Sequence, residues 1–145
     1  MPGAAVVAWQ QKSTALTGPE IRQRRYFANG TSPDLSFNTP GGLPYSSPDI
    51  AANQNRILMV ARQDHFDQNS GILDDDLVGV ITENGQAVTS VFKVGYGPGS
   101  QRAGCAVPFG QGFCVVWREE LNYNTPEYVS RIRAVVLDHN GNPDV

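Results

Sequence analysis

The chain has 145 residues, with 11 Lys and Arg against 14 Asp and Glu and a net charge of −3, so there is no broad basic field and nucleic acid is not expected as its main partner. Fifteen Gly and ten Pro, with no long run of Ala, Leu, Glu and Lys at helical spacing, exclude a helical bundle and predict short strands joined by turns. No apolar stretch approaches the ~20 residues that cross a bilayer as a helix, and the start Met1-Pro2-Gly3 lacks the charged and apolar regions of a signal peptide.

In chain order, the first strand signal is the apolar run Val6-Val7-Ala8-Trp9-Gln10-Gln11. A strand from Ile21 to Ala28 then leads into Asn29-Gly30, and another ends on Phe37. Asn-Gly between apolar runs marks a hairpin, because both central residues of the favoured turn need positive φ. For that reason Asn29-Gly30-Thr31 reads as a turn before it reads as a glycosylation sequon. Asp49 to Asn53 opens a second unit, followed by Leu58-Met59-Val60-Ala61-Arg62-Gln63, by Leu77 to Glu83 into Asn84-Gly85, and by a strand ending on Phe92. Cys105 to Phe109 opens a third, continued by Cys114-Val115-Val116-Trp117-Arg118-Glu119 and by Ile132 to His139 into Asn140-Gly141.

The landmarks keep one period. Trp9 to Ala61 is 52 residues and Ala61 to Trp117 is 56, while the Asn-Gly turns are separated by 55 and then 56. Strand signals at a period of this size predict propeller-like repeats, each a small sheet that cannot bury its faces alone. The expectation is one all-β domain over 1–145, with repeats of about 4–55, 56–111 and 112–145. Four strands are expected per unit, except that the first unit begins at its second strand and the last stops before its fourth. Trp9 and Trp117 are expected as packing between sheets, with Ala61 facing either a smaller gap or a compensating residue. Cys105 and Cys114 flank a hairpin turn: centred between Phe109 and Gly110 it would set them opposite each other at disulfide distance, and otherwise they are free small core residues.

The runs Cys114-Val115-Val116-Trp117 and Ile132 to Gly141 resemble blades of the β-propellers found in many bacterial extracellular and cell-surface proteins. The resemblance implies a β-propeller-like fold and an extracellular or cell-surface setting, and it brings no catalytic residue with it. It also implies that ligands meet the face where the second-to-third-strand loops and the loops between blades emerge. Propellers typically have four to eight blades. Three leave open edges, which predicts closure by a homo-oligomer, dimer first, or by blades supplied from elsewhere.

The expected ligand-face loops are Lys12 to Glu20, Asp64 to Asp76 and Glu120 to Ser130, with Asn38 to Ser47 and Gly95 to Arg102 between units. Their aromatic residues Tyr45, Phe66, Tyr96, Tyr123 and Tyr128, together with His65, interleave with Asn, Gln and Asp, a mixture suited to stacking on sugar faces and bonding hydroxyls. Asp64, Asp67 and Asp75 offer oxygen ligands for calcium, the one cofactor the sequence suggests, though their spacing does not match the EF-hand loop. Asp67, Asp75, Glu119 and Glu120, with His65 for proton transfer, are the acids that could converge for glycoside cleavage. Arg22, Arg24, Arg25, Arg131 and Arg133 read as a solvated or intersubunit basic face. The first reading is therefore a noncatalytic module binding a glycan or protein, with a glycoside-processing enzyme and a purely structural propeller segment as alternatives.

Overall fold

The computed structural model describes residues 5–11, 20–27, 30–31, 34–37, 45–67, 72–95, 97–123 and 125–144, the side chains at 37, 65–67 and 72–74 excepted. Among these residues every regular element is a strand, and three antiparallel sheets follow one another along the chain. The first sheet contains β1 (Ala5–Gln11), β2 (Glu20–Phe27), β3 (Gly30–Thr31) and β4 (Leu35–Phe37), the last two both pairing with β2. The second contains β5 (Tyr45–Asn53), β6 (Arg56–Asp67), β7 (Ile72–Glu83), β8 (Gln86–Ala87) and β9 (Phe92–Lys93). The third contains β10 (Ser100–Phe109), β11 (Gly112–Leu121) and β12 (Val129–Leu137), with a lone bridge from Leu137 to Pro143 at its edge.

Alternation along the strands sends successive residues to opposite faces, and the middle sheet is buried on both. Met59, Ala61, Val78 and Val80 pack with Ile21, Tyr45, Ala8 and Leu35 toward the first sheet. Leu58, Val60, Leu77 and Ile81 pack with Ala106, Phe113, Val115, Trp117 and Leu137 toward the third. The unbroken apolar run Leu58-Met59-Val60-Ala61 follows from this double burial. Gly79 lies where Val94, Phe92 and Leu58 converge, and a Cβ there would stand 2.8 Å from Val94 Cγ2, so a side chain would force these apart.

Trp9, Ala61 and Trp117 occupy the same strand position, opposite Arg22, Val78 and Arg133. Ala61 and Trp117 each point at the sheet that precedes theirs in the chain. Trp9 lies on the corresponding face of the first sheet, opposite to Ala8, where no other sheet of the described residues covers it. Tyr45 compensates for the small side chain of Ala61: both line one apolar cavity with Ile21, Met59 and Val78.

The Asn-Gly turn after β7 is built as expected, with φ of 51° at Asn84 and 82° at Gly85. Two bulges carried no sequence signal. One lies between Ser46 and Asp49 and the other between Arg102 and Cys105, with positive φ at Ser47 (51°) and Ala103 (52°). At the turn end of the sheets, Asn53 Nδ2 donates to the carbonyls of Gly110 (3.2 Å) and Gly112 (2.6 Å), stapling the second sheet to the third. Arg56 extends this link, donating to the His139 carbonyl at 2.7 Å and to Asn140 Oδ1 at 2.8 Å.

One open alternative is decided and one local expectation is corrected. Phe109 pairs with Gly112, so the β10–β11 hairpin is centred between Gly110 and Gln111, one residue beyond the centre a disulfide needs. Cys105 then faces Val116 and Cys114 faces Val107, and both thiols are free. The stretch from Asp64 to Asp76 is mostly strand, because β6 and β7 stay paired from Asp64 with Asp75 out to Asp67 with Ile72. Aspartate is depleted in strands, so composition pointed to a loop, and continued cross-strand pairing overrode it.

Candidate functional site

One end of the second and third sheets gathers acids and arginines. Arg62 and Asp64 share a face of β6, as residues two apart on a strand do, and Asp75 stands opposite Asp64 on β7. Arg118 and Glu120 repeat the arrangement on β11. Arg62 Nε lies 2.6 Å from Asp64 Oδ1 and 3.9 Å from Asp75 Oδ2. Arg102, just before its bulge on β10, joins the sheets: its Nε is 2.9 Å from Asp75 Oδ2 and 3.5 Å from Glu120 Oε2. The Asp75 and Glu120 carboxylates therefore converge on one guanidinium nitrogen. Arg118 reaches Glu120 Oε1 at 2.8 Å, and the Tyr128 hydroxyl donates to the same oxygen at 3.1 Å.

Glu119 points the other way, toward the second sheet, and is fully buried. Its Oε2 accepts from Arg131 and, at 3.0 Å, from Arg133, while Oε1 makes no hydrogen bond among the described residues. The glycines of the segment before β10 are needed here. A Cβ on Gly97 would overlap Glu119 Oε1, one on Gly95 would overlap the Gln101 amide, and one on Gly99 would stand 2.5 Å from the Glu120 carbonyl. Gln101 Oε1 accepts from the Leu77 amide at 3.1 Å, and Ser100 Oγ accepts from the Asp75 amide at 3.0 Å. The segment is thus sealed onto the acids.

Environment separates these carboxyls. Burial pushes the Asp75 carboxyl up, and the charges of Arg62 and Arg102 only partly offset it. Burial also acts on Glu119, but hydrogen bonds from Arg131 and Arg133 outweigh it and hold that carboxyl below the ordinary glutamate range.

Beside the cluster, Tyr123 and Tyr128 meet edge to face, with centroids 6.1 Å apart and planes at 75°. The rings are 49% and 44% exposed, and the Arg102 guanidinium lies 5.3 Å from the Tyr123 centroid. Of the sequence-derived ligand residues, these two come together. Tyr45 is buried between the first and second sheets, Tyr96 lies outside the described residues, and so do the side chains of His65 and Phe66. Of the metal candidates, Asp64 and Asp75 are cross-strand neighbours sharing Arg62, and the Asp67 side chain lies outside the description. Among the described residues no three His, Cys, Asp or Glu side chains cluster as a metal site. Of the basic residues, Arg22 and Arg24 pair with Glu20 and Asp34, Arg131 and Arg133 share the single carboxylate of Glu119, and Arg25 is buried instead of solvated. Sequence reading missed Arg62, Arg102 and Arg118. The matching Arg-x-Asp and Arg-x-Glu in Arg62 to Asp64 and Arg118 to Glu120 was the available signal for two of them.

No family model matches the chain, and no curated protein matches it. Among solved structures it is similar to an α-L-arabinanase of Penicillium chrysogenum in complex with arabinobiose, with a TM-score of 0.64 and 13% identity over 94% of this chain and 42% of that one. It is also similar to an α-L-arabinofuranosidase of Lactobacillus brevis, with a TM-score of 0.56 and 12% identity over 96% of this chain and 51% of that one. Both are β-propeller glycosidases, and the fold of this chain is accordingly all-β and propeller-like. The chain spans about half the length of these structures or less.

Proposed function

We propose that this chain is a carbohydrate-binding propeller segment whose contact surface is the Tyr123–Tyr128 pair at the end of the third sheet. The observation that carries this reading is two exposed tyrosines packed edge to face beside the Arg102, Glu120 and Arg118 array. Rings set rigidly by neighbours stack on sugar faces at low entropic cost, and charged groups beside them bond hydroxyls. The acids favour binding over catalysis, because each is occupied by arginine: Asp75 by Arg62 and Arg102, Glu120 by Arg102 and Arg118, and Glu119 by Arg131 and Arg133. Similarity to two glycosidases adds saccharides as the ligand class to test.

Isothermal titration against a panel of neutral oligosaccharides that includes arabinobiose tests the proposal. Saturable binding by the full chain without product release supports it, and no binding across the panel rejects it. A second reading, glycoside cleavage, draws on the convergence of Asp75 and Glu120 on Arg102, because such cleavage uses a pair of nearby carboxylates. Release of reducing sugar that is abolished in both Asp75→Asn and Glu120→Gln would favour it.

A further inference from the structure

Among the described residues two sheet faces are left uncovered, and they are the two halves of a contact that the chain already makes twice. At each internal contact a sheet's trailing face receives the leading face of the next. On the second sheet the trailing face carries Leu58, Val60, Leu77 and Ile81, all buried beneath the third sheet. The matching positions of the third sheet, fixed by the pairs Ala61 with Val78 and Trp117 with Arg133, are Cys114, Val116, Ile132 and Val136. This face is just as apolar, yet Ile132 is 71% exposed, Val107 on β10 46% and Val116 36%. The leading face of the third sheet buries Phe113, Val115 and Trp117. The matching positions of the first sheet are Ala5, Val7 and Trp9, of which Val7 is 44% exposed and Trp9 is half-buried, with the Arg24 guanidinium 5.8 Å from its ring centroid.

We infer that the chain associates with a second copy of itself head to tail, the Val7–Trp9 face of one copy docking on the Val116–Ile132 face of the other, twice around a two-fold axis. The occupant follows from equivalence with the internal contacts: the exposed trailing face offers the apolar positions that the second sheet offers to a leading face, and the exposed leading face offers the tryptophan and valine that the third sheet inserts. The number follows from closure. Propellers typically close with four to eight blades; two copies of the three described sheets fall inside that range, and three copies exceed it. Each copy's open faces are then covered by its partner, as a heterologous contact that closes into a ring requires.

Sedimentation of the full chain, with far-UV circular dichroism as the check on folding, tests this. Val7→Asp blocks only the leading face and Ile132→Asp only the trailing face, and neither residue belongs to a buried core cluster. The wild type is expected at twice the chain mass at micromolar concentration, and both variants at the chain mass with an unchanged strand spectrum. Should either lose that spectrum, Trp9→Ser and Val107→Asp address the same faces. A monomeric wild type overturns the inference. So does a folded variant of either face that remains dimeric, since a contact pairing one face with itself would survive a change on the other.

Discussion

Replacing Trp117 with Ala removes the largest side chain that the third sheet inserts against the second. Trp117 is 4% exposed and packs in one cluster with Leu58, Val60, Leu77, Phe113 and Val115. Strands fixed in register on both sides cannot collapse far into the space it vacates, so the loss comprises the transfer free energy and most of the cavity term, about 3–5 kcal/mol. That is a large share of the ~5–15 kcal/mol by which domains are stable, and it lowers the melting temperature by about 6–20 °C for a chain of this size. Urea denaturation followed by circular dichroism at a concentration where the chain is monomeric measures it directly. Two companions isolate the cause. Trp9→Ala, at the same strand position on a face that no other described sheet covers, loses a half-buried ring and the Arg24 contact on it and should cost about 1–2 kcal/mol, well below the Trp117 change. Trp117→Phe keeps most of the apolar area and discards an Nε1 that has no hydrogen-bond partner among the described residues, so it should cost less than ~1.5 kcal/mol. Equal losses for the two tryptophan-to-alanine changes would refute the assignment of covered and uncovered faces.

Asn53→Ala removes two donations to backbone carbonyls and should cost about 1–3 kcal/mol by the same measurement, and a neutral result would mean that the staple contributes nothing. Ala103→Gly relieves a left-handed residue in the β10 bulge and should stabilise the chain by up to ~1 kcal/mol, whereas destabilisation would contradict the bulge geometry. Glu119 titrates below its ordinary value of 4.5, so its contribution is fully present above that pH and is lost as pH falls through the lower folded value. Asp75 has the opposite sign: its raised carboxyl opposes folding when ionised, and acidification relieves this penalty. Acid denaturation should therefore be shallower in Glu119→Gln and steeper in Asp75→Asn than in the wild type, and identical profiles would exclude both assignments.

Strand positions were legible because a buried strand and an Asn-Gly hairpin each leave a local mark. Val6 to Gln11, Leu58 to Gln63 and Cys114 to Glu119 all lie within strands, and Asn84-Gly85 forms its turn. What stayed hidden depends on partners distant in sequence. The disulfide alternative turned on a one-residue difference in the centre of the β10–β11 hairpin, which the residues around Pro108 and Gly112 do not specify. Ser47 and Ala103 adopt positive φ without being glycine or asparagine, so nothing local announced the bulges. Tyr45 looked like a loop aromatic because the space beside Ala61 that it fills exists only once two sheets are stacked. The acids were visible, but their function could not be read while Arg102 was unplaced, since its contacts to Asp75 and Glu120 span two sheets.

Tyr123→Ala titrated beside the wild type tests the functional account most directly. Both tyrosines of the pair are solvent-exposed, so the variant should keep the wild-type unfolding midpoint while its affinity for the bound oligosaccharide falls about 5- to 150-fold, the ~1–3 kcal/mol expected for losing a well-placed contact ring. Undiminished saccharide affinity in a folded Tyr123→Ala chain would contradict it.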